Sequence, residues 1–409
     1  MAATRLPGTP RLLRALNDRA ALELLLSQGP LTRAQLGEQT GLSKVTASQL
    51  VERLEQRGLV RRVGEKPGGR GPNAQLYAVT PGSAHVIGVD VGPEWVVAAC
   101  ADITGAILGR SARSTRNAGD PTRVVHGAVV EAAREAEAEL NSVRRVVLGT
   151  PGLVDPATGE IAAASDLPGW HQGLIGDLRR ELGTPVTFGN DVHLAAVAEC
   201  TTGVAAGGTD FVLLWIGRCV GLASVIDGRV HQGATGAAGG IGHLPVGGVE
   251  VPRNAATQAG AQARTQAGTQ AGMRAGEGGA FQGIADAEAV RAIGRRCGFR
   301  DAEAADVVRS AVAAGAAGGP LLDELAARLA LGVAAACLVL DPPLVVLAGE
   351  VGQAGGPALA DRVALEVAAI TLVTPQVVVT GVESEPVLHG ALHTALHAVR
   401  DEVFGSTTG

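Results

Sequence analysis

Five cationic side chains stand close together early in the chain: Arg53, Arg61, Arg62, Lys66 and Arg70. Guanidinium and ammonium groups neutralise phosphate, so such a cluster beside hydrogen-bonding side chains points to nucleic-acid chemistry. The companion residues are Ser43, Lys44, Val45, Thr46 and Gln49, which with Arg53 make one short face. That face carries no Asp, and its one Glu (Glu52) lies at the side, which suits a DNA major groove. Other candidates are weaker. His389, His393 and His397 recur every four residues, a spacing that could bind a metal, but a histidine stripe on a helix is more often a surface or packing feature. Asp191 and His193 could belong to a hydrolytic dyad, yet no nucleophile motif of the GxSxG kind accompanies them. The cysteines (Cys100, Cys200, Cys219, Cys297, Cys337) lie far apart with no CxxC pair. This argues against a disulfide framework and against a thiolate zinc site, and no metal is expected.

The cationic face needs two helices to present it, and Leu31–Gly58 supplies them. Thr32 can cap the first helix, with Gln35 completing a capping box. Gly41 ends it and opens the turn. Ser43 caps the second helix, in which Ala47, Leu50, Val51 and Leu54 fall on one apolar face. A plain helical hairpin within a bundle is the alternative. Residues 11–28 form an amphipathic helix that packs on the pair. After Gly58, strands at Val60–Val63 and Leu76–Val79 flank a Gly/Pro loop bearing Lys66 and Arg70, a β-hairpin wing. The wing would lay Arg70 along a minor groove while Arg61, Arg62 and Lys66 neutralise phosphates. A protein-binding winged helix remains the alternative for the module.

Charge supports this division. Residues 1–85 hold twelve Lys/Arg and six Asp/Glu, a balance of +6, which leaves −12 for the rest of a chain of net −6. A basic module on an acidic body suggests a polyanion partner for the module alone. The 409 residues suffice for two or three domains, and a 46% hydrophobic composition allows large cores. No apolar run approaches the ~18–20 residues of a membrane span, and the N-terminus has no signal-peptide core. A cytoplasmic protein without membrane contact is expected. The Ala/Gly/Arg bias and the scarcity of aromatics fit genome composition better than function.

Pro81–Gly82 break the chain, and from His85 a β-meander opens a new domain. A helix at 121–140, a strand running into a Gly/Pro loop, and a helix–strand–helix succession follow. A second meander spans 210–233. Later come a helix at 321–340, strand PLVVLAG, a helix near 357–370, strand PQVVVTG and a last helix near 389–403. Two similar openings with alternating helices and strands indicate an α/β fold of duplicated lobes. Residues 255–279 interrupt it, with TQAG at 257–260, 265–268 and 269–272. Having no bulky apolar residues, they read as a disordered insert, and each glycine would break the alternative Ala-rich helix.

The stretches GPLTRAQLGEQTGLSKVTASQLVERLEQRGLV, LGTPGLVDPATGEIAAASDLPGW, FGNDVHLAAVAE, GAAGGIGHLPVG and DPPLVVLAGEV together resemble the ROK family (repressors, open reading frames and kinases). The chain looks like one of the family's transcriptional regulators, such as xylose and N-acetylglucosamine repressors. The resemblance covers nearly the whole chain. It implies an N-terminal winged helix-turn-helix at 1–82 and an α/β actin-like ATPase, sugar-kinase-like body of two lobes. These lobes are placed at 83–195 and 196–409, with the last helix packing back on the first. It also implies ligand-binding positions at Gly152, Asn190, Asp191 and His243, with Asp191 in the place of the general base that takes the proton of a sugar hydroxyl.

The chain departs from the family pattern at several points. Gly240 replaces the glutamate of the ExGH motif. The first phosphate loop, DxGGT, reads Asp90-Val91-Gly92-Pro93-Glu94, and the second, GTGxG, reads Gly217-Arg218-Cys219-Val220-Gly221. Proline removes a backbone donor and glutamate sets a negative charge where phosphate should lie. No cysteine stands between Cys219 and Cys297, so the zinc motif CxCGxxGC is absent. The expectation is a DNA-binding regulator, a repressor, with a non-catalytic body, Asp191 as a vestigial base, and no cofactor. Its partners would be a double-stranded DNA operator, a sugar or sugar-phosphate effector, and further copies in a homodimer or dimer of dimers. The alternatives are an active ROK sugar kinase with an accessory DNA-binding module, and a repressor blind to ligands.

Overall fold

The computed structural model describes residues 10–67, 73–116, 120–159, 161–163, 174–208, 210–246 and 280–405. Arg70 and the 255–279 insert lie outside them. The chain divides into two compact units: Met1–Pro151 with Ala164–Gly189 and Leu388–Gly409, and Gly152–Ala163 with Asn190–Val387.

The first unit begins with α1 (Pro10–Gln28), β1 (Leu31–Thr32), α2 (Arg33–Thr40) and α3 (Lys44–Gln56). Both expected caps form. Gln35 N–H donates to Thr32 Oγ1 (3.2 Å) while Thr32 N–H donates to Gln35 Oε1 (3.0 Å). Thr46 N–H donates to Ser43 Oγ at 3.2 Å. Gly41 ends α2 in the left-handed region (φ 70°), where a side chain would be strained. Ala47, Leu50, Val51 and Leu54 are all buried. The wing strands are β2 (Val60–Lys66) and β3 (Ala74–Val79), paired antiparallel with a bulge between Arg62 and Gly64. Two-residue β1 completes the sheet by pairing with β3, Leu31 opposite Tyr77. Sequence periodicity could not mark so short a strand, because partner hydrogen bonds alone define it.

The rest of this unit is a five-stranded sheet in the order β10-β7-β4-β5-β6. Its strands are β4 (His85–Val91), β5 (Trp95–Asp102), β6 (Ile107–Ser114), β7 (Val143–Thr150) and β10 (Val186–Asn190). Here β4, β5 and β6 form the expected antiparallel meander, and β7 joins β4 in parallel. Helices α4 (Pro121–Glu135) and α5 (Leu174–Leu182) belong with it. The helix expected over 121–140 stops at Glu135, because Glu137 turns to positive φ and a 3₁₀ turn at Leu140–Ser142 leads into β7.

The chain's last helix, α12 (Pro386–Gly405), packs on β4. A Cβ at Gly88 would lie 2.8 Å from Leu392 Cγ and 2.9 Å from its backbone nitrogen, so only glycine permits this approach. Arg400 then fixes the helix by donating Nε and Nη2 to the Ile103 carbonyl at 3.0 and 2.9 Å.

The second unit contains the hairpin β8 (Leu153–Val154) and β9 (Ile161–Ala163), then α6 (Asp191–Thr202). Its main sheet has the order β13-β12-β11-β14-β15. The strands are β11 (Phe211–Ile216), β12 (Val220–Ile226), β13 (Arg229–Val230), β14 (Leu344–Ala348) and β15 (Gln376–Val379). A meander followed by two further strands repeats the strand order of the first unit, so the duplication is real at the level of topology. One core cluster joins β11 and β14 to α7 (Phe281–Ala285), α8 (Ala287–Arg296), α9 (Ala304–Ala313), α10 (Gly319–Leu340) and α11 (Gly349–Ile370). Another packs α6 on the sheet through Phe211, Leu213, Ala223 and Val346. Helices α7–α9 carry no expectation from the sequence. The helix expected near 357–370 begins earlier, at Gly349, and is interrupted at Gly356 (φ 56°, ψ −159°) before Pro357. Glycine absorbs the break and proline, with no N–H to lose, starts the second segment.

Candidate functional site

The outer face of α3 is open to solvent. Ser43, Lys44, Val45, Thr46 and Gln49 are all exposed. Val45 is 67% exposed despite its apolar side chain. The Ser43 and Thr46 hydroxyls lie 2.9 Å apart, so the cap also orders two polar groups at the helix start.

Arg53 differs from expectation. Its guanidinium does not extend outward but makes a two-pronged pair with Asp18 of α1, Nε to Oδ2 at 3.1 Å and Nη2 to Oδ1. Asp18 is only 4% exposed, and its carboxylate pushes the Arg53 pKa up. Arg57 adds a longer contact to Asp18 (3.5 Å) and donates Nη2 to the Val403 carbonyl of α12 at 2.8 Å. Arg19 pairs with Asp401 at 2.7 Å. A buried carboxylate must be paired, and α3 supplies the partner, so Arg53 holds α3 on α1. Sequence reasoning missed Asp18 and Arg57. One signal was available: Asp18 falls on the same stripe as Ala21, Leu22 and Leu25, an acid on an apolar face.

On the wing, Arg61, Arg62 and Lys66 are exposed. Arg62 Nε pairs with Glu55 Oε1 at 2.9 Å in a solvent-exposed setting, where such a pair contributes little.

In the second unit, three of the four ligand positions come together. Asn190 caps α6 by accepting from His193 N–H (3.0 Å). Its Nδ2 donates to the Gly152 carbonyl and to Asp191 Oδ1, both at 3.0 Å. Asp191 Oδ1 also accepts from Val192 N–H at 2.8 Å. Burial pushes the Asp191 carboxyl up to about 6, with Glu350 adding to the rise and Arg218 opposing it. His193 turns its Nε2 to the Ala238 carbonyl (3.0 Å), and burial lowers its pKa. His243 sits exposed in a 3₁₀ turn, and no hydrogen bond among the described residues joins it to this set.

Both loops at the family's phosphate positions are closed hairpin turns. In the first unit Gly92 N–H donates to the Trp95 carbonyl (2.9 Å), and Glu94 pairs with Arg116 at 3.0 Å. In the second unit Gly217 N–H donates to the Cys219 carbonyl (3.1 Å) and Val220 N–H to Gln282 Oε1 (2.9 Å). The Glu350 carboxylate lies against Gly217, in the space a Cβ would fill. Three backbone donors of these loops, Gly92, Gly217 and Val220, are thus engaged, and a carboxylate stands beside one loop. No group of three or more His, Cys, Asp or Glu able to hold a metal occurs among the described residues. No helix among them is long and apolar enough to cross a membrane.

A model of the ROK family matches residues 86–392. The chain belongs to the ROK family. A MarR family model matches residues 16–71, covering the helices and much of the wing that precede the ROK body. Among curated relatives, the DNA-binding transcriptional dual regulator NagC of Escherichia coli is 25% identical over 241 residues, 58% of this chain and 59% of that protein. The xylose repressor of Caldicellulosiruptor bescii is 23% identical over 244 residues, 58% of this chain and 61% of its own length. The match thus spans about three fifths of these relatives. Among solved structures, a ROK family transcriptional regulator, a homologue of the E. coli MLC protein, superposes with TM-score 0.71 at 17% identity, covering 96% of this chain and 98% of that one. The ROK hexokinase of Thermus thermophilus gives TM-score 0.60 at 24% identity, over 78% of this chain and 99% of the hexokinase. The fold is therefore a winged helix-turn-helix joined to a ROK actin-like, sugar-kinase-like body.

Proposed function

We propose that this ROK protein is a sequence-specific DNA-binding transcriptional regulator, a repressor acting as a homodimer on a palindromic operator, with a non-catalytic body. The observation that carries the proposal is the exposed, acid-free outer face of α3, from Ser43 to Gln49, mounted on a capped and buried inner face. In the docked complex the N-terminal half of α3 lies in the major groove, while Arg61, Arg62 and Lys66 meet the phosphates. Arg70, outside the described residues, belongs to the same loop and is assigned to the minor groove. The two regulators among the relatives agree with this reading.

The body's role is sensing. Gly152, Asn190 and Asp191 form a connected polar set suited to sugar hydroxyls, and His243 is assigned to the same ligand. A sugar or sugar phosphate that favours one lobe arrangement would bias the DNA-binding pair. Turnover is not expected, because Pro93, Glu94, Arg218 and the Glu350 carboxylate replace features that a nucleotide phosphate needs.

Genome-wide mapping of bound sites followed by anisotropy titration on the strongest site tests the function. Lys44→Ala and Gln49→Ala should each weaken binding about 5- to 150-fold, at about 1–3 kcal/mol per specific contact. Undiminished affinity in both variants would sink the assignment. The rival kinase is favoured by the hexokinase fold match, and a coupled ATP-consumption assay across hexoses and amino sugars decides it. Turnover abolished by Asp191→Asn would overturn the non-catalytic reading.

A further inference from the structure

The C-terminal half of α10, residues 329–340, holds no polar side chain. A helix apolar on every side is ordinarily enclosed on every side. Here the inner face is enclosed, with Val333 and Cys337 in the core, but the outer face meets water. Leu331 and Leu338 are two helical turns apart and share that face. Val339 follows, and Leu338 and Val339 are 68% and 81% exposed. The end of α11 repeats the arrangement. Val363 and Val367 are buried, whereas Leu365 is 71% exposed, Ile370 is half exposed and Leu372, just past the helix, is fully exposed. The two helices lie side by side, with Arg362 Nε of α11 donating to Asp323 Oδ1 of α10 at 2.7 Å. Each runs into its strand through a short connection, 341–343 and 371–375, and the strands start in register at Leu344 and Gln376. The six side chains therefore share one end of this layer. They hold roughly 600 Å² of aliphatic surface in water, the upper end of what the largest patch on a monomer amounts to.

We infer that this patch is the face through which two copies of the chain associate. Such a face supplies the homodimer of the proposed function and rests on that reading. Area points to a second copy. A two-fold contact centred on the patch would cover about 1,200 Å² of aliphatic surface, and its margin would bring the total to the ~1,600 Å² of a standard stable interface. Charge points the same way. The six residues are uncharged, and near them Arg362 is paired with Asp323 and Arg328 with Glu324 (Nη2 to Oε1, 2.6 Å). A surface neutral in the middle, with closed ion pairs at its edge, sets few like charges against its own copy. An anionic lipid surface fits poorly, since Asp341 and Asp361, also exposed on these segments, are acidic. The patch lies in the second unit and α3 in the first, so association uses no residue of the reading face.

Sedimentation velocity of the full chain without DNA, over a dilution series, tests this. The wild type should sediment as a dimer. Leu338→Asp combined with Val339→Asp, and separately Leu365→Asp, should each weaken association about a hundredfold or more, because carboxylates would be buried against the other copy. These side chains are exposed, so circular dichroism and core hydrogen exchange should match the wild type. Ile107→Asp, at an exposed apolar site of the first unit, should leave the dimer intact. A monomeric wild type, undiminished association in both patch variants, or equal loss in Ile107→Asp would each overturn the inference. Affinity for a single operator half-site, measured by anisotropy, reports on the α3 reading alone. A monomeric wild type that still binds a half-site rules out the docking face and leaves DNA reading standing.

Discussion

Replacing Arg53 with alanine separates two roles that the sequence alone confounds. In the structure Asp18 is almost fully buried and holds Arg53 with both carboxylate oxygens, while Arg57 reaches it only at 3.5 Å. Removing one partner of a buried pair costs about 3–5 kcal/mol, because the other charge is left unpaired. Two features reduce the figure here: the Arg53 side chain is 36% exposed, and Arg57 can close on Asp18. The expected cost is about 2–3 kcal/mol, localised to the α1–α3 contact. A chain of several domains does not unfold in one step, so a global midpoint is the wrong readout. Native-state hydrogen exchange in the full chain measures the local opening instead. Protection in α1 and α3 should fall about 30- to 150-fold, by the conversion of about 1.4 kcal/mol per decade, while the second unit stays unchanged. Asp18→Asn should cost less, and the double variant Arg53→Ala with Asp18→Asn should cost less than the sum of the two. If Arg53→Ala leaves α1 and α3 protected within about threefold yet weakens DNA binding strongly, Arg53 is a DNA contact and the structural assignment fails.

Three further outcomes follow from particular contacts. Asp191 has its carboxyl pushed up to about 6 from an ordinary 3.8, so between those values the folded chain holds a proton that the unfolded chain has lost. Stability from this group therefore falls as pH rises from about 4 to 6 and stays reduced above, by at most about 3 kcal/mol. Asp191→Asn should raise the urea midpoint of the second unit at pH 7.5 more than at pH 4.5, and an equal shift at both would contradict the burial argument. Gly88→Ala places a methyl on the Leu392 backbone and should loosen α12 by about 2–4 kcal/mol, seen as faster limited proteolysis after residue 386. Ser43→Ala removes the cap of α3 and should cost about 1 kcal/mol, read as faster exchange at the Thr46 amide, with Ser43→Asn restoring protection.

Much of the reading module was legible in residue order, and the reason is local. Thr32 with Gln35, Gly41 and Ser43 act within one helical turn, so their capping and turn chemistry is written in neighbouring residues and appears in the structure as expected. The Ala47, Leu50, Val51, Leu54 stripe works the same way, because helical periodicity alone decides which face is buried. The two meanders were legible because apolar runs between turn residues recur at both openings. Helices α7–α9 were not, since they follow a low-complexity stretch and their short apolar patterns gain meaning only against α10 and the sheet.

What the sequence by itself determined is thus the caps and apolar face of the N-terminal helices, the two meander openings, the charge split between module and body, and which residue types stand at the family's site positions. Tertiary structure alone decided which of those residues meet. Arg53 is written as an outward cation, yet a buried acid 35 positions earlier claims it, because desolvating Asp18 without a partner would cost more than withholding one cation from solvent. Asn190 and Asp191 are adjacent in sequence, but their link to Gly152 is made by a hydrogen bond spanning 38 positions. Glu350 reaches Gly217 across an even longer interval. Local forces can be read from neighbours, whereas desolvation and pairing depend on what the fold brings alongside.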